Sequence, residues 1–333
     1  MPVELIRMNR DAPYSELSPE TVLDAVEAIG FRSDGRVLAL NSYENRVYQI
    51  GIEDGEPVVA KFYRPARWTD AAIREEHAFA GELAAQEIPV VAPLLREGES
   101  LHQHHGFRYA LFPRRGGRWP ELKNADEREW VGRFLGRIHG VGRAARFRER
   151  ASLSIDDLGW SARDLVLEGD WMPDYLATKY ADLTDELLGE VETRARGWGG
   201  AATARILGDC HRGNILWTDL GPHFVDLDDC LTGPAVQDLW MLLSGGPQEM
   251  RTELRDLLQG YEQFLPFDRQ EIALIEPLRA LRMIHYSGWL AHRWHDPAFP
   301  KAFPWFAEPR YWEEHYRALE EQLAAVQQPP LEL

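Results

Sequence analysis

Gly208-Asp209-Cys210-His211-Arg212-Gly213-Asn214-Ile215-Leu216-Trp217, followed by Phe224-Val225-Asp226-Leu227-Asp228-Asp229, is the stretch on which the reading of this chain turns. Asp209 and Asn214 are separated by four residues, and Asn214 leads straight into an apolar run. Apolar runs on either side of Thr218-Asp219-Leu220-Gly221 predict a short hairpin. A hairpin would bring Asn214, which enters it, beside Asp226, which leaves it. A single Asp in such a stretch reads most simply as a turn residue. Three polar side chains at this spacing, flanked by apolar strands, read as a site.

Their chemistry suits phosphoryl transfer to a hydroxyl. That reaction needs a carboxylate to orient the hydroxyl and take its proton, and hard oxygen ligands for a Mg²⁺ ion that neutralises the triphosphate. Asp209 fits the first role, while Asn214 and Asp226 fit the second, so Asp226 counts both as a metal ligand and, with Asp209, as a catalytic residue. The Asp-x4-Asn spacing is that of a kinase catalytic loop.

Upstream, Lys61 interrupts the apolar strand Pro57-Val58-Val59-Ala60-Lys61-Phe62 in a chain with only four lysines against 33 arginines. A lysine there is placed to reach the α- and β-phosphates of ATP, held by a carboxylate of the next helix. Glu75 and Glu76 are the candidates, and Glu76 is favoured. Asn41-Ser42-Tyr43-Glu44-Asn45 occupies the position of a phosphate-covering loop but has no glycine. Contact would then come from the Ser42 hydroxyl, the asparagines and backbone N–H groups.

Outward from these residues the chain reads as α+β, a two-lobed protein-kinase-like fold. Residues 1–113 form an N-lobe with a small antiparallel sheet and a helix, and residues 114–333 a mostly helical C-lobe. Ser18-Pro19 starts a short helix that Gly30 stops. Three strands follow, then a helix after Thr69 with Ile73, His77, Ala80 and Leu83 on one face, then two strands at Ile88–Leu95 and Phe107–Pro113. His102, His104 and His105 are expected at the solvated tip between those strands. Arg114-Arg115-Gly116-Gly117-Arg118 reads as the linker.

The 333 residues carry a net charge of −17, which opposes nucleic acid and anionic membrane surfaces as partners. The first residues lack an apolar leader and no run is long enough to span a bilayer, so the expectation is a cytoplasmic protein. Cys210 and Cys230 are too few for a disulfide framework and read as small reduced thiols.

With these residues assembled, the chain resembles the bacterial stress response kinase A family, within the wider aminoglycoside phosphotransferase and choline kinase-like group. The resemblance runs almost end to end, through LNSYENRVYQ, VVAKFYRP, GDCHRGNILW, FVDLDD, GPAVQDLWMLL, IEPLRA and DPAFPKAFPW. It implies a monomeric, cytoplasmic Ser/Thr protein kinase of stress survival that uses ATP and Mg²⁺ on protein substrates. By motif, Asp209 is the proton acceptor, Asn214 and Asp226 bind Mg²⁺, Lys61 and Ser42 contact ATP, and Asp238 braces the catalytic loop. Leu207 stands where the family usually shows His, so the loop is expected to be held more by packing. A small-molecule kinase for a hydroxylated cation and a nucleotide-binding pseudokinase scaffold are the alternatives.

Overall fold

The computed structural model describes residues 12–195 and 203–333; the stretch read above for a leader lies, through Asp11, outside them. The chain runs α1 (Pro19–Ala28), β1 (Ser33–Ala39), β2 (Arg46–Ile52), β3 (Val58–Phe62), α2 (Asp70–Ala85), β4 (His102–His104) and β5 (Phe107–Pro113). It continues with α3 (Ala125–Arg143), α4 (Ser161–Leu167), α5 (Asp174–Arg194), β6 (Ala204–Ile206), β7 (Ile215–Thr218), β8 (Gly221–Phe224) and β9 (Leu231–Gly233). The helices α6 (Val236–Trp240), α7 (Pro247–Tyr261), α8 (Ile275–Arg293), α9 (Ala298–Ala302) and α10 (Pro309–Gln327) complete it. The protein is α+β, with a five-stranded antiparallel sheet near its N-terminus and a helical C-terminal part.

Two compact units share the chain, and they interleave in sequence. One takes the chain up to Pro120 together with Phe147–Arg150 and Gly213–Asp228; the other takes Glu121–Arg146, Ala151–Arg212 and Asp229–Leu333.

In the first unit the sheet order is β1-β2-β3-β5-β4. Side chains alternate along a strand, so Val58, Ala60 and Phe62 of β3 pack with Val22, Ala25 and Val26 of α1 in one core cluster. Lys61 therefore points to the opposite face, where its cross-strand partner Ala110 packs with Tyr63 and Ile73. On α2, capped by the Thr69 hydroxyl, the buried stripe contains Ile73, Glu76, His77, Ala80 and Leu83. Helical periodicity thus buries Glu76 and leaves Glu75 at the edge.

Ile88–Leu95 is not a strand of the sheet. Pro89 and Pro93 have no N–H to give a ladder, and only Val90 makes a bridge, to Phe224 of β8. The strand that pairs with β5 is His102–His104, so His102 and His104 sit opposite Tyr109 and Phe107, and only His105 is left for the turn. The β7–β8 hairpin forms as expected, with Ile215 opposite Phe224. The Pro89 carbonyl accepts the Phe224 N–H at 2.7 Å, and Arg118 and Trp217 exchange backbone hydrogen bonds of 3.1 and 2.6 Å. Both edges of the hairpin are therefore tied into the first unit.

In the second unit α3 packs on α7 with the backbones nearly touching. A Cβ on Gly132 would stand 1.9 Å from the Leu257 carbonyl oxygen, and one on Gly260 would stand 1.9 Å from that of Glu129. The helix α6 is short, ending at Trp240 and giving way to turns.

Candidate active site

In the first unit Lys61 is 6% exposed and surrounded by carboxylates. Its Nζ lies 2.9 Å from Asp226 Oδ1, 3.1 Å from Asp228 Oδ1 and 3.8 Å from Glu76 Oε1. Burial pulls the ammonium down, but Asp226, Asp228 and Glu76 together outweigh it and hold Lys61 well above its usual value. Glu76 goes the other way: burial raises its carboxyl above the ordinary range against the pull of Lys61. Asp228 is also buried, yet Arg67, Lys61 and Arg150 overcome that penalty and keep it well below the usual carboxylate range.

Asp228 owes this to partners from three other segments. Arg67 Nη1 pairs with its Oδ2, Asn45 Nδ2 donates to the same oxygen at 3.0 Å, and Arg150 Nη2 donates to its backbone carbonyl. Asn45 also accepts the Arg64 N–H at 3.1 Å, and the Ser42 hydroxyl donates to the Asn45 carbonyl at 3.2 Å. The loop expected to cover phosphate is thus anchored through Asn45 to the Asp228 carboxylate. Glu75 has a separate task, since its carboxylate accepts the N–H groups of Arg148, Glu149 and Arg150 at 2.6, 2.8 and 3.0 Å. That cap holds the segment from which Arg150 reaches over the Trp68 ring, 3.9 Å from its centroid.

Asp226 differs from Asp228 in two respects. Its side chain is 56% exposed, and its backbone lies in the left-handed region at φ 56°. Asp tolerates that conformation better than most residues, and such outliers concentrate at functional sites. Asn214 and Asp226 flank the first β7–β8 pair, and the Val225 N–H donates to the Asn214 carbonyl at 3.0 Å. An amide oxygen and an accessible carboxylate on one hairpin suit a hard divalent cation that keeps phosphate and water among its ligands.

Asp209 belongs to the second unit. Its Oδ1 accepts from Arg282 Nη1 at 2.7 Å, and His211 Nε2 lies 3.4 Å from its Oδ2. Burial pushes its carboxyl up, but the His211 hydrogen bond and the Arg282 charge prevail and bring it down to about 2. Asp209 is therefore ionised at neutral pH. Cys210 beside it is buried, and burial first, then Asp238 and Asp209, pushes its thiol well above the ordinary value.

The loop holding Asp209 is braced by Asp238, fully buried on α6. Its two oxygens accept the N–H groups of Leu207 and Gly208, each at 2.8 Å, and Oδ2 also lies 2.9 Å from His139 Nε2. Because the carboxylate accepts, His139 Nε2 donates, and its Nδ1 meets the Tyr261 hydroxyl at 3.0 Å. Gln237 Nε2 donates to the Gly208 carbonyl at 2.8 Å. Gly208 has φ 80°, and a Cβ there would stand 2.3 Å from the Asp229 carbonyl oxygen, so only glycine fits. Leu207 does pack, being 6% exposed, but the expectation of a loop held mainly by packing needs amending. Hydrogen bonds from its own backbone and from Gly208 carry the brace.

Residues 36–275 match the phosphotransferase enzyme family. Stress response kinase A of Escherichia coli strain K12 is 46% identical over 327 residues, covering 98% of this chain and 99% of that one. The serine/threonine protein kinase RdoA of Salmonella typhimurium shows the same identity and coverage. The chain belongs to the stress response kinase A family, within the phosphotransferase enzyme family. Among solved structures, the amicoumacin kinase hAmiN, in complex with AMP-PNP, Ca²⁺ and Ami, superposes with TM-score 0.68. It is 19% identical, over 90% of this chain and 93% of its own, so it supports the fold alone.

In this phosphotransferase the residues singled out by sequence fall into two groups. Lys61, Glu76, Asp226, Asn214 and Ser42 lie in the first unit, and Asp209 with its brace lies in the second. Sequence reasoning missed Asp228, Arg67 and Arg150 around Lys61, and His139 and Arg282 around the catalytic loop; it offered Asn45 as a phosphate contact, whereas its side chain holds Asp228. The repeated acid in Asp226-Leu227-Asp228-Asp229 was a usable signal for Asp228. Nothing local marked the others, whose partners lie far along the chain. No helix among the described residues is long and apolar enough to cross a membrane.

Proposed function

We propose that this phosphotransferase is an ATP- and Mg²⁺-dependent serine/threonine protein kinase of bacterial stress response. The observation that carries the reading is a buried Lys61 held between Glu76 and the hairpin carboxylates Asp226 and Asp228. A buried ammonium with an accessible carboxylate partner can exchange that carboxylate for phosphate oxygens without moving, because Glu76 and Asp228 still hold it. Asn214 and Asp226 would hold Mg²⁺, whose charge would neutralise the triphosphate. Ser42 and the backbone of its loop would contact phosphate from above, positioned through Asn45.

Asp209 would accept the proton of the attacking hydroxyl. Its low folded value means that it is ionised before substrate arrives, and Arg282 and His211 fix its orientation. The Asp238 brace keeps the loop backbone in place, so the carboxylate need not be ordered anew in each turnover. The protein acceptor is supported by the serine/threonine protein kinase RdoA, which matches over nearly the whole chain.

The test is incubation with labelled ATP and Mg²⁺, comparing wild type with Asp209→Asn on a generic serine-containing protein and an aminoalcohol panel. Label is expected on protein and lost in Asp209→Asn. Label confined to the small molecules, or unchanged in the variant, would overturn the reading.

A further inference from the structure

The second unit contains a cleft of about 470 Å³ beside Asp209, within the size range of ligand sites. Its lining includes His211, Trp240, Arg279, Arg282, Met283 and Tyr286, and among the described residues no carboxylate lines it. Arg282 connects the cleft to the candidate base through its 2.7 Å hydrogen bond to Asp209. A guanidinium has five N–H donors, so the Nη1 contact with Asp209 leaves others for a ligand. Arg279 stands one helical turn away on α8, over the Trp240 ring at 5.8 Å.

Carboxylates in neighbouring segments already have partners, and one of them, Glu276, is shared with Arg279. Glu253 accepts the Ser244 N–H at 2.6 Å and its hydroxyl at 2.9 Å, and Glu249 accepts the Gly246 N–H at 2.6 Å. Glu276 accepts from Gln322 at 2.9 Å and lies 3.7 Å from Arg279 Nε. A cationic cleft in a chain of net charge −17 is the reverse of what overall composition would produce.

We propose that this cleft is the acceptor subsite and that it selects a Ser or Thr within an acidic peptide segment. The inference rests on Asp209 being the base and adds the substrate class. Arginine forks match planar carboxylates in two-point contact, and Trp240, Met283 and Tyr286 offer apolar walls to the stems of acidic side chains. A hydroxylated cation such as an amino-sugar or aminoalcohol meets Arg279 and Arg282 along the lining, with Asp209 as the one carboxylate at its edge among the described residues. The overall negative field works against an acidic peptide at long range, but at physiological salt it is screened beyond about 8 Å, which leaves the lining in control.

The experiment uses two fluorescent peptides with the same central serine, one flanked by glutamates and one by arginines. Binding to the full chain is read by anisotropy at physiological salt, with label transfer from ATP followed in parallel. The glutamate peptide is expected to bind about tenfold tighter, as one well-formed charged contact allows. Arg279→Gln should remove most of that preference at an unchanged thermal midpoint, and Arg279→Lys should keep part of it. Equal binding, tighter binding of the arginine peptide, or a preference untouched by Arg279→Gln overturns the proposal. If the glutamate peptide binds selectively but no label enters it, the protein-kinase reading fails and the anion-binding cleft stands. If label enters only the arginine peptide, the cleft reading fails and the kinase reading stands.

Discussion

Lys61 and Asp238 are both charged and both buried, at 6% and 0% exposure, but their surroundings have little in common. Lys61 is held by ion pairs with three carboxylates, one of which has a side chain 56% exposed. Asp238 is held by two backbone N–H groups and an imidazole, all buried with it. Ion pairs around a partly open carboxylate can be exchanged for a ligand's charges. Backbone hydrogen bonds to a sealed carboxylate fix geometry and exchange with nothing. The first unit thus carries a centre suited to binding, and the second a frame that presents Asp209.

The largest expected effect would break the frame. Asp238→Ala strands the Leu207 and Gly208 N–H groups and the His139 imidazole, and should lower stability by about 3–5 kcal/mol. Differential scanning calorimetry checks this, and a thermal midpoint within a few degrees of wild type would show that the sealed carboxylate is not the brace.

Next come the two buried carboxylates around Lys61, which should separate. Asp228→Asn removes a group that its cationic neighbours favour ionised and should cost about 2–4 kcal/mol. Glu76→Gln removes a group that burial already disfavours ionised and should cost no more than about 1 kcal/mol, while both variants lose most transfer activity, about 10²-fold or more. The pH dependence has opposite signs. The folded value of Asp228 is depressed, so its contribution is present above the unfolded value of about 3.9 and lost as pH falls. The folded value of Glu76 is raised, so it detracts from stability as pH climbs past about 4.3. Chemical denaturation across roughly pH 2–8 reads both, and equal losses in the two variants would erase the distinction.

A smaller effect sharpens the account of Asp209. Arg282→Gln removes a charge that holds its carboxyl down, so the acid limb of transfer should move up by about one pH unit. An unmoved limb would mean that His211 alone sets it. The smallest effect is expected at Cys210, where the buried thiol with its raised value is a poor nucleophile. Peroxide should inactivate Cys210→Ala and wild type at equal rates.

Local pattern was enough for the residues whose position follows from a period or a spacing. Alternation along β3 selects the face of Lys61, the helical period of α2 separates Glu76 from Glu75, and the hairpin pairs Asn214 with the residue before Asp226. Local pattern fails at Ile88–Leu95, where apolar content favours a strand but Pro89 and Pro93 lack the N–H groups a ladder needs.

The sequence by itself therefore determined the α+β class, the Asp209, Asn214 and Asp226 motif, and the Lys61–Glu76 pair. Each follows from periods and spacings that can be read along the chain. Only the tertiary structure decided that Asp228 is buried and Asp226 accessible, although the two are chemically identical and two residues apart. The difference comes from Asn45 and Arg67, more than 160 residues away in the chain, and Arg150, 78 away. The same holds for Asp238 and His139, separated by 99 residues. A carboxylate's protonation and reach depend on which charges fold in around it, and periodicity along a single element carries no information about that.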